Sequence, residues 1–221
     1  MSENRKKMLK ELIRQLHAGV LPDEAKERFK QVLGDVSPLE IAKIEQELVE
    51  EGMPREEIQR LCDVHLAVFR ESLEKAGVLA PAGHPIHILM EEHKLLLGFA
   101  DDLKNTAREM REAEDFDSIR EEMKHLGEMA ELLKDSESHY VREENVLFPY
   151  LEKHGVTEPP AIMWTEHNKI REIEKGLHQL LETWKILAVE SFVERLGEVS
   201  LALTEMLSTH FYKENNILFS L

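Results

Sequence analysis

One ten-residue stretch decides how this sequence is organised: it reads HYVREENVLF at residues 139–148 and returns as HFYKENNILF at residues 210–219. Five of the ten positions are identical and three more are close in chemistry. A shorter pair, Glu92-His93, returns at a similar offset as Glu166-His167. The repeat predicts two helical hairpins, each with a Glu-His pair followed by a His-x-x-x-Glu group.

The spacing within the repeat places metal-binding side chains on one helix face. Residues four apart on an α-helix differ by about 40° in azimuth and by about 6 Å in height, so His139 lies above Glu143 and His210 above Glu214. Facing hairpins would bring four imidazoles and two carboxylates into the interior of a bundle, the usual place for a metal site in this architecture. Imidazole and carboxylate without thiolate suit iron and tolerate manganese, zinc or cobalt.

Two alternative interpretations compete with this one. A ferritin-like di-iron bundle needs two Glu-x-x-His groups, and the sequence offers only Glu122-x-x-His125. A single His-x-x-x-Glu is more often a surface pair than a ligand set, but two copies in matching frames favour ligands. The Val-Leu-Phe and Ile-Leu-Phe ends of the two frames are interpreted as core packing.

The helical patterns predict an all-α protein with an up-and-down four-helix bundle and essentially no strand. A linker-like stretch at residues 77–83 separates two predicted domains, a small helical domain at 1–78 and the bundle at 84–221. In the first domain, stop and start signals predict helices at 6–17, 22–34, 38–52 and 54–75. In the second they predict four longer helices, at about 85–111, 118–153, 160–184 and 189–219.

Composition excludes several classes of function. The 221 residues include 28 Lys and Arg against 44 Asp and Glu, for a net charge of −16, which would repel nucleic acid. No apolar run approaches the roughly 20 residues of a membrane span, and no export signal is visible. The single cysteine, Cys62, allows neither an internal disulfide nor a multi-cysteine metal site, so we expect a cytoplasmic protein.

The repeated motifs resemble those of the hemerythrin-like cation-binding domain, whose helices carry Glu-His and His-x-x-x-Glu-[Glu/Asn]-x-x-Leu-Phe-Pro signatures. The resemblance covers residues 84–221. It implies two non-haem iron ions, bridged by Glu143 and Glu214, with manganese or zinc as possible substitutes. The full ligand set that it implies is His93, His139, Glu143, His167, His210 and Glu214.

Residues 1–75 are similar to a helical domain of unknown function that precedes hemerythrin-like domains in some bacterial and archaeal proteins. The resemblance rests on residues 34–38, 51–54 and 61–65, and it names no chemistry. We expect residues 1–78 to contact a protein partner.

Departures from the family pattern narrow the expected function. Arg171 stands where oxygen-carrying members have a second histidine. Asn215 stands where they have an aspartate, five residues past the last ligand histidine, and this sequence instead offers Glu214 at four. Both departures argue against efficient oxygen carriage. The four-histidine, two-glutamate pattern is closer to iron–sulfur centre repair proteins, but their paired-cysteine motif is absent. We expect a site that binds or senses a small diatomic, oxygen or nitric oxide, or a redox state. The alternatives are a di-iron oxidoreductase, an iron donor for cluster repair, and a purely structural metal pair.

Several further residues attract attention. His84 and His87 are interpreted as residues at the start of a helix, since His87 lies about 120° from His93 around the axis; a supplementary ligand role for His87 is the alternative. Glu92 and Glu166 could accept hydrogen bonds from ligand histidines of the opposite hairpin. Cys62 beside His65 is interpreted as packing.

Overall fold

The computed structural model describes residues 7, 8, 10, 11, 38–54 and 80–221. None of them lies in a strand, so the predicted all-α class is confirmed for the described part. The predicted helices at 6–17, 22–34 and 54–75, with Cys62 and His65, lie wholly or mostly outside it. The α-helices are α1 (Pro38–Glu50), α2 (Pro85–Glu109), α3 (Arg120–Lys134), α4 (Glu137–Arg142), α5 (Phe148–Lys153), α6 (Glu158–Thr183) and α7 (Val189–Asn216).

The chain divides into two compact units. One consists of Ala80–Leu147 and Trp164–Tyr212, and the other of Met1–Leu79, Phe148–Met163 and Lys213–Leu221. The predicted domain bounds, 1–78 and 84–221, stay a prediction. The long helices beyond residue 84 form the predicted helical bundle, whose second member is the succession of α3, α4 and α5.

The core of the first unit is built from apolar side chains at helical spacing. Leu96, Ala100, Leu103 and Ala107 recur every three or four residues along α2, and all four are buried. They belong to one apolar cluster with residues of α3, α6 and α7. The Thr204 hydroxyl of α7 donates to the carbonyl oxygen of Ala100 at 3.1 Å, which joins two of these helices.

The predicted second bundle helix is wrong in one respect, because α3 and α4 are separate helices. The interruption lies at Asp135 and Ser136, two residue types whose side chains compete with the helical hydrogen-bond ladder. Ser138 Oγ donates to the carbonyl oxygen of Asp135 at 3.1 Å, and the Ser136 hydroxyl donates to Glu174 of α6 at 3.2 Å. The break therefore directs Ser136 toward another helix.

A π-helical turn at Glu143–Leu147 joins α4 to α5. Because a π turn is wider than an α-helical turn, it changes which of the following side chains face the core. The interpretation of the Val-Leu-Phe end as core packing is thus only partly correct: Phe148 is buried, but Val146 is 68% exposed. The second copy of the repeat has no such turn, because α7 runs on to Asn216 and a short 3₁₀ turn follows at Leu218–Ser220.

The second unit contains α1, which begins at Pro38 as the sequence predicts and ends two residues before Gly52. Gly52 has a φ of +99°, and Met53 N–H donates to the carbonyl oxygen of Leu48, the bond of a glycine-terminated helix. Ile44 and Leu48 are buried. Gly155, with a φ of +84°, closes α5 in the same way.

Within the described part of the chain, no helix is both long enough and apolar enough to cross a membrane.

Candidate metal centre

All six predicted ligands are almost completely buried, each at 2% exposure or less. Their donor atoms form two groups, and in each group one atom from every residue lies within 4.8 Å of the others. One group contains His93 and His139, the other contains His167 and His210, and both contain Glu143 and Glu214. The described structure thus places all six residues together, with two carboxylates common to both groups; that they bind metal stays a prediction.

The imidazole Nε2 atoms converge on one another and on Glu143. His93 Nε2 lies 3.1 Å from His139 Nε2. Glu143 Oε2 lies 3.3 Å from His167 Nε2 and 3.6 Å from His139 Nε2. Nitrogen and oxygen donors without thiolate fit a borderline or hard divalent ion.

The positions of Glu143 and Glu214 follow from local helix geometry. Glu143 lies one turn after His139, at the first residue of the π turn, and Glu214 lies one turn after His210 in the continuous helix α7. Both carboxylates have no exposed surface. Burying two carboxylates is costly, and a bound cation offsets that cost, so the residues present fit a metal.

Three ligand histidines are oriented by carboxylates outside the ligand set. The Nδ1 atoms of His139, His167 and His210 lie 2.8, 2.9 and 2.9 Å from carboxylate oxygens of Glu92, Glu144 and Glu166 respectively. An ionised carboxylate only accepts, so each Nδ1 carries the proton and donates. The lone pair of a neutral ring is then on Nε2, the nitrogen that faces the centre.

The prediction for Glu92 and Glu166 was right in the type of interaction and wrong in the pairing. The sequence alone allows either glutamate to accept from the opposite hairpin. Instead Glu92 of α2 meets His139 of α4, and Glu166 of α6 meets His210 of α7, so each bonds within its own hairpin. The two helices of one hairpin are adjacent and antiparallel. Each glutamate directly precedes a ligand histidine in sequence, so its side chain points away from that histidine and toward the other helix of the same hairpin.

Sequence reasoning missed Glu144, which accepts from His167 and so joins the two hairpins. A signal was present, because Glu144 is one of the positions where the two copies of the repeat differ; the second copy has Asn215. Arg171, noted only as a departure from oxygen carriers, donates from Nη1 to Glu144 Oε1 at 2.8 Å. It also donates from Nε and Nη2 to both oxygens of Glu137, at 2.9 and 3.0 Å.

Arginines hold two of these outer carboxylates in the ionised form. Arg142 Nη2 donates to Glu92 Oε2 at 2.6 Å, as Arg171 donates to Glu144. Burial alone would raise the pKa of Glu92, but hydrogen bonds from Arg142 and His139 outweigh it, and the net pKa is lowered. The same balance, with Arg171 and His167 as donors, lowers the pKa of Glu144.

Aromatic rings cover two of the histidines. Phe211 stacks on His93, with ring centroids 4.1 Å apart and an interplanar angle of 9°. Tyr140 lies against His167, with centroids 4.7 Å apart and an angle of 36°. Tyr140 and Phe211 occupy the same position in the two copies of the repeat, directly after a ligand histidine, and both are fully buried. They exclude water from the edge of the donor set.

Other histidines that the sequence offered lie elsewhere. His84 is the N-cap of α2, where its Nδ1 accepts from the Ile86 N–H, as the helix-start interpretation predicts. Among the described residues, His87 is in neither donor group. His125, the histidine of the ferritin-like alternative, is exposed on α3.

Comparison with known families agrees with this geometry. Residues 84–221 match the model of the hemerythrin HHE cation binding domain, which is well over half of the chain. Residues 9–75 match a family of unknown function, DUF438. No curated protein matches the chain.

Proposed function

The chain belongs to the hemerythrin HHE cation-binding family, and on that premise we propose that its bundle holds two iron ions and uses them to bind or sense a small diatomic, oxygen or nitric oxide. One observation carries the proposal: two groups of donors, each with two imidazoles, share both buried carboxylates. A shared carboxylate pair is what two adjacent cations require. Bound iron would supply a changeable valence and a coordination position open to a small ligand.

The protein's own residues give the centre its order. His93, His139, His167 and His210 offer Nε2 lone pairs, and Glu143 and Glu214 each offer carboxylate oxygens to both positions. Glu92, Glu144 and Glu166 fix three of the rings from behind. Phe211 and Tyr140 would allow only small molecules to reach the centre, because each has a fully buried ring in contact with a ligand histidine.

Residues 1–78 complete the proposal. Their match to a separate family, whose description names no activity, supports a role other than binding the metal. We infer that they transmit the state of the centre to a protein partner. We also propose that this happens in the cytoplasm, a reducing compartment, because a chain with a single cysteine forms no internal disulfide.

The test is metal content per chain, with absorption spectra of the reduced protein before and after addition of oxygen or nitric oxide. We expect two irons and a spectral change that reverses when the gas is removed. Repeated turnover with a reductant would instead support an oxidoreductase, and transfer of iron to an apo cluster protein would support a repair role. Metal ions whose spectrum does not change with any oxidant, and whose removal unfolds the helices, would support a purely structural role for the two metals.

The ligand assignment is tested separately with His139→Ala and His210→Ala. Each is expected to lose metal from its own position, and His125→Ala, at an exposed histidine of α3, serves as the control. Full metal content in both ligand variants would contradict the assignment.

A further inference from the structure

We propose that Arg171 is a positioning residue of the metal centre, which holds the Glu144 carboxylate against His167 and thereby fixes that imidazole for its metal. The inference rests on the proposed metal pair, because His167 belongs to one of its two donor groups. It goes beyond that function by assigning a role to a residue that belongs to neither donor group.

The geometry of Arg171 is that of a clamp between helices. Its guanidinium donates three hydrogen bonds to two carboxylates: two in parallel to Glu137 of α4 and one to Glu144 in the π turn. Paired N–H donors on one carboxylate are the most directional arrangement that arginine forms. Arg171 itself lies on α6, one turn after His167, so the clamp joins α6 to both α4 and the π turn.

The Glu144 carboxylate connects this clamp to the centre through a single atom. Its Oε1 accepts from Arg171 Nη1 at 2.8 Å and from His167 Nδ1 at 2.9 Å. On the other side of the ring, Glu143 Oε2 lies 3.3 Å from His167 Nε2. Two consecutive glutamates of the π turn therefore hold opposite nitrogens of one imidazole, and rotation of Glu144 would release one of them.

The arginine of the other hairpin is less constrained, which makes it a useful comparison. Arg142 donates one bond to Glu92 and one to the carbonyl oxygen of Ser138 in its own helix. Its side chain is 46% exposed, against 25% for Arg171. Arg171 instead has all its carboxylate contacts on other elements of the bundle, and its guanidinium carbon lies 5.6 Å from the ring centroid of Tyr140.

Loss of a residue that orients a metal-bound histidine typically costs 10- to 100-fold in metal affinity. An effect that passes through His167 falls on one of the two metal positions. This selectivity separates positioning from general stabilisation of the fold, which would weaken both positions together.

The experiment compares iron-loaded wild-type protein with Arg171→Leu and Lys175→Leu. Lys175 is the matched control, because it lies one turn further along α6 and its pair with Glu172 at 3.8 Å is exposed. Iron release to a chelator is followed over time, and Mössbauer spectra are recorded before and after. We expect one iron per chain of Arg171→Leu to leave about 10 to 100 times faster than in wild type, the other to keep its rate, and Lys175→Leu to match wild type.

Two further variants connect the effect to Glu144. Glu144→Gln should reproduce the fast phase, and the double variant should be no faster than either single one, because Arg171 acts through Glu144. Arg171→Lys should restore part of the rate, since lysine keeps the charge without the paired donors. In a His167→Ala background, Arg171→Leu should have no further effect.

The outcomes distinguish this inference from the function on which it rests. If wild-type protein holds two irons and Arg171→Leu releases both at the wild-type rate, or both faster to the same degree, the positioning role is wrong and the metal pair stands. If wild-type protein holds no metal after reconstitution, both are wrong. Helix content by circular dichroism, measured on every variant, identifies any that fails to fold, and Glu144→Gln then decides the question.

Discussion

The two halves of the metal centre have the same ligand types but different surroundings. Each half has two histidines and the shared glutamates, as the repeat requires. Behind them, Glu144 and its arginine in one half correspond by repeat position to Asn215 and Leu97 in the other. The ligand set and the acceptors Glu92 and Glu166 thus repeat, whereas the sequence does not repeat the pair that supports His167, which teaches that an internal repeat predicts donors more reliably than all of their partners.

The difference continues along the helices that carry these histidines. The residues at positions 0, +4, +7 and +11 from the ligand histidine lie on one helix face. On α6 all four of these residues are polar, whereas two of the four at the matching positions on α2 are apolar. The α6 residues are His167, Arg171, Glu174 and His178, and those of α2 are His93, Leu97, Ala100 and Lys104.

The largest effect is expected where the two halves cannot differ, at a shared carboxylate. Glu143→Ala should remove both metals, because Glu143 belongs to both donor groups. The measurement is elemental analysis after reconstitution, with Glu152→Ala on the exposed surface of α5 as the control. One fully retained metal would show that the halves are independent.

Removal of the metals should strongly lower the free energy of unfolding. A ligand that binds only the folded state at about 1,000 times its Kd contributes about 4 kcal/mol per site, and the apo protein also keeps two buried carboxylates. Denaturant titration with and without chelator measures the loss. An unchanged midpoint would mean that neither half binds its ion tightly.

A smaller effect should separate the two halves through Glu174, whose matching position on α2 is Ala100. Burial raises the pKa of Glu174 to about 7, although Ser136 and Arg171 oppose the rise and Glu137 adds to it. The folded state therefore keeps its proton more tightly than the unfolded chain, whose carboxyl has the ordinary pKa of 4.5. Stability contributed by this group is present below pH 4.5 and is lost as the pH rises to 7, by about 3 kcal/mol in total.

Glu174→Gln removes that loss, so the stability of the variant relative to wild type should rise between pH 5 and pH 8. Chemical denaturation of the metal-loaded proteins at both values provides the measurement. Glu172→Gln, at an exposed carboxyl of the same helix, is the control. A constant difference across this range would show that Glu174 titrates normally.

The smallest effect is expected beside Glu92, at the neighbouring pair Glu91 and Lys94 on α2. Their 2.5 Å ion pair is solvent-exposed, and such pairs contribute little. Lys94→Ala should leave the melting temperature and the metal content unchanged. In contrast, Arg142→Leu removes the α4 arginine that donates to Glu92, and it should weaken binding of the metal in the His139 group. A marked loss of metal in Lys94→Ala would mean that surface charge controls the centre.

The sequence was sufficient for the helical class, which depends on periodicity, and for the grouping of six buried side chains, which depends on the internal repeat and on four-residue spacing within it. It was not sufficient for the break at Asp135 and Ser136 or for the π turn, since both depend on packing against other helices. The partners of Glu92 and Glu166 were misassigned for the same reason. Spacing along one helix gives an azimuth but not the identity of the neighbour.

The wide separation of the donors along the chain has a consequence for folding. Glu143 and Glu214, which both donor groups contain, lie in different hairpins, so the chain between them must form a closed loop before either donor group is complete. The entropy of that closure is lost before any coordination bond is gained, and the first hairpin alone supplies only His93, His139 and Glu143. We therefore expect docking of α7 to precede capture of both metals, and the rate of metal uptake by refolding protein tests this order.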